Sequence, residues 1–140
     1  MITQRNSYTL ILGEENGELK LPVVIGGYEA QSIALVIEGL KPQRPLTHDL
    51  IANILEVADL TMTSVHITEL KDGIFYAEIT MRSADGSNLK ISARPSDAIA
   101  IALRTASNIL ADSDLLDQVG IDIPERLLGD LSADSQGSGS

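Results

Sequence analysis

Alternation of apolar and polar positions marks the first elements of this chain. Tyr8-Thr9-Leu10-Ile11-Leu12 and Leu19 to Ile25 carry the period of a strand, and Glu14-Glu15-Asn16-Gly17 between them has turn chemistry. The pair predicts a β-hairpin. The same grammar returns in Ser64 to Leu70, the turn Lys71-Asp72-Gly73, Ile74 to Met81, the turn Asp85-Gly86 and Leu89 to Ala93. Helical spacing fills the intervals. Glu29 to Glu38 sets Ala30, Ile33, Ala34 and Ile37 on one face and stops at Gly39, a C-terminal cap. Thr47 is the expected N-cap of a helix reaching about Ala58, with Leu50, Ile54, Leu55 and Ala58 inward. Ser96 is the expected N-cap of another, from Asp97 to about Thr105, with Asp97 near its positive end. Asp112 or Ser113 opens a short helix that ends at Gly120.

These elements repeat. Displaced by 68 positions, Tyr8 meets Tyr76, Ile11 meets Ile79 and Leu21 meets Leu89, while Ala30, Ile33, Ala34 and Leu35 meet Ala98, Ile101, Ala102 and Leu103. Glu29 meets Asp97. The expected fold is α+β, with duplicated β-hairpin-plus-helix units that form mainly antiparallel sheet packed with helices. The strand at Ser64 to Leu70 has a first-copy counterpart that falls almost wholly before Met1, so that strand is expected to be missing from the chain as given. Residues 1–128 read as one domain, and 129–140, small and polar, as a flexible tail or linker.

Composition narrows the class. At 44% hydrophobic and 21% charged residues the chain can bury a core, but with 3% aromatics it must do so with aliphatic side chains. The absence of cysteine excludes a disulfide scaffold, a thiol nucleophile and a Cys-ligated metal. No apolar run is long enough for a membrane span, the first residues lack the order of a secretory signal, and a cytoplasmic protein with no membrane partner is expected. A net charge of −10 disfavours charge-driven nucleic-acid binding unless cations cluster locally or a metal is recruited.

Chemistry concentrates in two segments, Lys41 to Asp49 and Ser92 to Ala98. Each carries an arginine beside a proline, then a hydroxyl and an acid at a helix start: Arg44, Thr47 and Asp49 in one, Arg94, Ser96 and Asp97 in the other. Free N–H groups at a helix start and a planar guanidinium suit phosphate. The structural reading makes Thr47 and Ser96 helix caps and the acids dipole partners. His48, at a loop-to-helix corner, is a better acid–base candidate than His66, which sits within a strand of Thr and Ile. Glu29, Glu38, Asp49 and Asp97 are the carboxylates nearest to hand for Mg2+ or Mn2+. No P-loop or dinucleotide-binding fingerprint is present, and the glycines of Ile25-Gly26-Gly27-Tyr28 read as sites of close packing.

Four blocks in order, Leu21 to Ala30, Arg44 to Leu50, Gly73 to Ala77 and Ala93 to Ala100, resemble the bifunctional nuclease domain family over Tyr8 to Ile121. The resemblance implies an α+β fold, a homo-oligomer and nuclease action on RNA and DNA. Its motifs fall on Glu29, Arg44, Thr47, His48, Asp49, Arg94, Ser96 and Asp97. As an enzyme of low sequence preference, the chain would use His48, Asp49 and Asp97 catalytically and hold phosphate on Arg44, Arg94, Thr47 and Ser96. Asp49, Asp97 and Glu29 would hold a divalent ion. The alternative is a non-catalytic oligomeric binding or regulatory module with an anion pocket. Both require the two segments to meet in one electropositive notch.

Overall fold

The computed structural model describes residues 2–4, 7–15 and 19–122. The tail expected over 129–140 lies outside them. In chain order the elements are β1 (Ile2–Gln4), β2 (Ser7–Gly13), β3 (Leu19–Gly26), α1 (Gly27–Ile37), α2 (Thr47–Val57), β4 (Thr61–Lys71), β5 (Ile74–Arg82), β6 (Asn88–Ala93), α3 (Pro95–Thr105), β7 (Asn108–Ala111), α4 (Ser113–Val119) and β8 (Ile121–Asp122). They form two four-stranded sheets, ordered β1-β2-β3-β8 and β6-β5-β4-β7. Every pairing is antiparallel except β4 with β7. The α+β expectation holds.

The repeat is visible in the fold. Hairpin β2–β3 leads into α1 and hairpin β5–β6 into α3, and the two helices coincide residue for residue under the 68-position shift. The hairpins differ by one place in register: Tyr8 faces Ile25, but Ala93 faces Ala77 rather than Tyr76. A three-residue β1 pairs antiparallel with β2 where, in the second unit, β4 pairs with β5. The strand expected to be missing is therefore represented by this short segment.

Local chemistry explains most boundaries. Asp72 and Gly73 both take positive φ, 54° and 77°, which is the twist-matched two-residue turn that an Asp-Gly pair favours between β4 and β5. Gly39, with φ 71°, ends α1 as expected, and the Gly39 and Leu40 N–H groups donate to the carbonyls of Val36 and Leu35. Two helix starts differ from expectation. Leu46, not Thr47, is the N-cap of α2, and its N–H donates to Asp49 Oδ2 at 3.0 Å. Arg94, not Ser96, precedes α3, because Pro95 needs no donor partner and presets the first helical φ.

One core draws on both sheets and the helices packed against them. Buried β2 and β3 residues (Leu10, Leu21, Val23, Ile25) meet Ile33 of α1, while Val65, Ile67 and Ile79 meet Ile99 of α3. Helix α3 is central: it touches α1, α2, β3, β4, β5 and β7. Its alanines at 98, 100 and 102 are buried and let neighbouring backbones come close. Helix α2 corrects one expectation. Leu50, Ile54 and Ala58 are exposed, and the inward stripe is His48, Ile51 and Leu55. Among the described residues no helix is long and apolar enough to cross a membrane.

Candidate functional site

The first turns of α1, α2 and α3 border one cleft of about 920 Å³, whose floor is the apolar face of β4, β5 and β6 at Met62, Ile79, Met81 and Ile91. Its polar wall comprises Glu29, Gln31, Ser32, Thr47, His48, Ser92, Arg94 and Asp97. The two chemistry-bearing segments thus meet, and they meet through Asp97. His48 Nε2 lies 2.9 Å from Asp97 Oδ1, and Arg94 donates to Asp97 Oδ2 through Nε at 2.9 Å and Nη2 at 2.7 Å. Glu29 Oε2 is 3.6 Å from the same Nη2. Glu29 and Asp97 occupy equivalent places in the two repeat helices, so the duplication brings two first-turn acids onto one guanidinium. Arg94's own counterpart is Gly26, where an added Cβ would come 2.6 Å from Glu29 Oε1. That glycine makes room for the Glu29 carboxylate, a more specific duty than close strand–helix packing.

His48 is buried, and its second nitrogen is also engaged: Ser32 Oγ stands 2.6 Å from Nδ1. Burial alone would raise the pKa of Asp97, but the His48 hydrogen bond and the Arg94 hydrogen bond and charge hold it below the ordinary carboxylate value. Asp97 hydrogen bonding and charge, with a smaller contribution from Glu29, raise that of Arg94 further. Arg94 keeps a side chain 67% exposed at the cleft mouth.

Other expected site residues lie elsewhere. Asp49 turns away from the cleft to Arg104, whose Nε is 2.6 Å from Asp49 Oδ1. Arg44 is exposed, does not line the cleft, and makes no ion pair among the described residues. Ser96 is buried and does not line the cleft, so it offers no hydroxyl to a ligand there. Thr47 sits on the rim, exposed. Glu38 caps the far end of α1. His66 pairs with Asp112 at 3.0 Å across β4 and the start of α4, half-exposed and remote from His48 in role. The notch is not electropositive by side chains: one guanidinium faces two carboxylates, and the compensating positive field comes from the three helix starts.

The donor set does not fit a resident divalent ion. Asp97 has both oxygens committed to His48 and Arg94, Asp49 is committed to Arg104, and Glu29 is left as a single carboxylate beside a cation. Among the described residues no three His, Asp or Glu side chains are grouped to hold a metal.

Sequence reasoning missed Ser32 and Arg104. Ser32 lies three residues after Glu29 on the same helical face, so a polar pair on an otherwise apolar stripe was the available signal. Arg104 lies seven after Asp97, again on one face.

The ionised acids set an acid limit to stability. In Asp49 burial raises the pKa, yet the Leu46 N–H and the Arg104 hydrogen bond and charge lower it overall, as happens in Asp97. A carboxyl with a lowered folded-state pKa contributes its full stabilisation above its unfolded value of about 4, and loses it as pH falls through the lower folded value. Melting temperature is therefore expected to be insensitive to these groups near neutrality and to fall below about pH 4. Asp49→Asn and Asp97→Asn should each flatten that acid limb in thermal scans by circular dichroism. Superimposable acid limbs for variants and parent would refute the assignment.

A family model described as the bifunctional nuclease domain matches residues 10–124. Two uncharacterized proteins of Mycobacterium tuberculosis, from strains CDC 1551 / Oshkosh and ATCC 25618 / H37Rv, are each 42% identical to this chain over 121 residues. The match covers 86% of this chain and 71% of each relative.

Proposed function

This chain belongs to the bifunctional nuclease domain family, and we propose that it hydrolyses phosphodiester bonds of RNA and DNA, with low sequence preference, in the cleft between α1, α2 and α3. Membership of the family supports a nuclease-like function. The observation that carries the reading to this cleft is the Arg94–Asp97–His48 array at the meeting of three helix starts. Arg94 offers a phosphate its exposed edge, and the first-turn N–H groups add donors around it. Asp97 fixes the imidazole and compensates positive charge on it, which leaves His48 as the group that accepts and returns a proton. The apolar floor supplies no array of base-edge donors, which accords with low sequence preference. Tyr28 on the rim is 87% exposed, the state required of a stacking platform for an unpaired base. Because the donor set does not suit an ion, no step is routed through one.

We place a homo-oligomer in the same proposal. Edge strand β6 leaves its outer backbone side unpaired among the described residues, which suits strand pairing with another copy.

The test is cleavage of single-stranded RNA and DNA oligonucleotides by purified protein in the presence of EDTA. Cutting is expected to persist, and Arg94→Ala is expected to lower kcat/KM by roughly 10–100-fold, the scale of a lost charge-assisted phosphate contact. Oligonucleotide binding without cutting by the parent protein would instead favour the anion-binding module. Arg94→Ala that cuts as fast as the parent would remove Arg94 from the site.

A further inference from the structure

His48 lines the cleft, but both of its ring nitrogens are already hydrogen-bonded, so while Ser32 Oγ holds Nδ1 neither nitrogen is free for a water molecule. The direction of those bonds follows from chemistry. Asp97 as a carboxylate only accepts, so His48 Nε2 carries the hydrogen and donates to Oδ1. In the neutral ring Nδ1 is then an acceptor, and among the described residues its hydrogen-bond partner is the hydroxyl of Ser32. A hydroxyl donating to an imidazole, whose other nitrogen donates to a carboxylate, is the logic of an activated serine. Here the two ring nitrogens exchange their familiar roles, and Arg94 secures the carboxylate from its other oxygen. Ser32 is as buried as His48, each 7% exposed, and both line the cleft on the same wall as Arg94.

We propose that Ser32 is the nucleophile of this cleft and that Ser32, His48 and Asp97 form its proton relay; the substrate assignment rests on the nuclease reading above. Ser32 Oγ forms a bond to phosphorus as the bond from phosphorus to the leaving sugar oxygen breaks. Its proton passes to His48 Nδ1 and from there to that oxygen, releasing one strand with a hydroxyl end. Water then attacks the phosphoseryl intermediate and gives a proton to Nδ1, and the Oγ–phosphorus bond breaks. The proton returns to Oγ, and the second strand leaves with a terminal phosphate. No oxidant, metal or further co-reactant enters the balance.

The experiment combines two readouts on full-length protein. The first is mass spectrometric mapping after exposure to diisopropyl fluorophosphate, a reagent that phosphorylates activated hydroxyls. A single adduct on Ser32 is expected in the parent and none in Ser32→Ala or His48→Gln. The second is oligonucleotide cleavage, expected to fall roughly 10⁴–10⁶-fold in Ser32→Ala, the scale of a lost nucleophile that acts with its base. An adduct on Ser32 in a protein that cuts no nucleic acid would uphold the relay and refute the nuclease reading. Cleavage in the parent, retained within threefold by Ser32→Ala, would refute the relay and leave the nuclease reading standing. Lost cleavage in Ser32→Ala with no adduct in the parent would also overturn the nucleophile, since a residue that only holds His48 in place gives that pattern. Because the adduct is read on the parent, a misfolded variant cannot mask the result.

Discussion

Replacing His48 with alanine is expected to lower kcat for oligonucleotide cleavage by roughly 10²–10⁴-fold, the range for loss of a positioned acid–base group. The ring links the Ser32 hydroxyl on α1 to the Asp97 carboxylate on α3, at 2.6 and 2.9 Å. Without it Ser32 Oγ loses its basic partner, and with it the carrier of a proton to the leaving oxygen. Binding should survive, since among the described residues Arg94 and the rim residue Tyr28 make no hydrogen bond or ion pair with the ring, so KM should move by less than about threefold. The removal also empties a buried position and strands two polar partners, a cost of about 1–3 kcal/mol. His48→Gln, which keeps a hydrogen-bonding side chain of similar reach, separates the two effects: stability should recover toward the parent while kcat stays low. A His48→Gln protein that cuts at the parent's rate would take the histidine out of the chemistry and leave it as a buried bridge between helices.

The site was legible where its chemistry is local and hidden where packing decides. An arginine beside a proline, followed by an acid three residues on, already describes the Arg94–Asp97 contact, because both ends lie within one helical turn. The shift that superposes Glu29 on Asp97 marked a second acid for the same guanidinium. Arg44 and Asp49 show where this reasoning fails. The two segments share the order arginine, proline, hydroxyl, acid, yet only the second sits at the end of a sheet strand that aims its arginine into the cleft. Asp49 lies one residue beyond His48, and that single step turns it about 100° around α2, from the cleft toward Arg104.

Fold legibility followed the same line. Hairpins and the helices after them were specified by local alternation and by turns such as Asp72-Gly73. The inward face of α2 was not, since Leu50/Ile54 and Ile51/Leu55 are both four-residue apolar pairs and nothing in the pattern ranks them. The deciding residue is His48, a polar side chain drawn inward by partners on two other helices. Strand β7 carries only four residues and gains its identity by pairing in parallel with β4, a non-local contact that no periodicity announces.

Arg104→Ala is expected to be the most destabilising single change near the cleft without touching the reacting groups. Its side chain, 7% exposed, donates to Asp49 Oδ1 on α2, to the Ser32 carbonyl on α1 at 3.1 Å, and to the Ala100 carbonyl of its own helix at 2.8 Å. One guanidinium therefore ties together the three helices whose first turns build the cleft. Removing one partner of a buried pair costs about 3–5 kcal/mol. Asp49 stays 27% exposed and keeps the Leu46 N–H, so a loss of about 2–4 kcal/mol is the better expectation. In a domain of this size that corresponds to a fall in melting temperature of roughly 8–16 °C. Lysine at 104 should recover only part of it, because a single ammonium cannot reach three acceptors in the plane of the fork. Asp49→Asn in the Arg104→Ala background should restore at least about 1 kcal/mol by removing the stranded carboxylate, giving a positive coupling in the double-mutant cycle. Additive losses, or an Arg104→Ala protein that melts within 2 °C of the parent (about 0.5 kcal/mol), would show that apolar packing alone holds α1, α2 and α3 in place. The spacing between Ser32 and His48 would then owe nothing to this arginine.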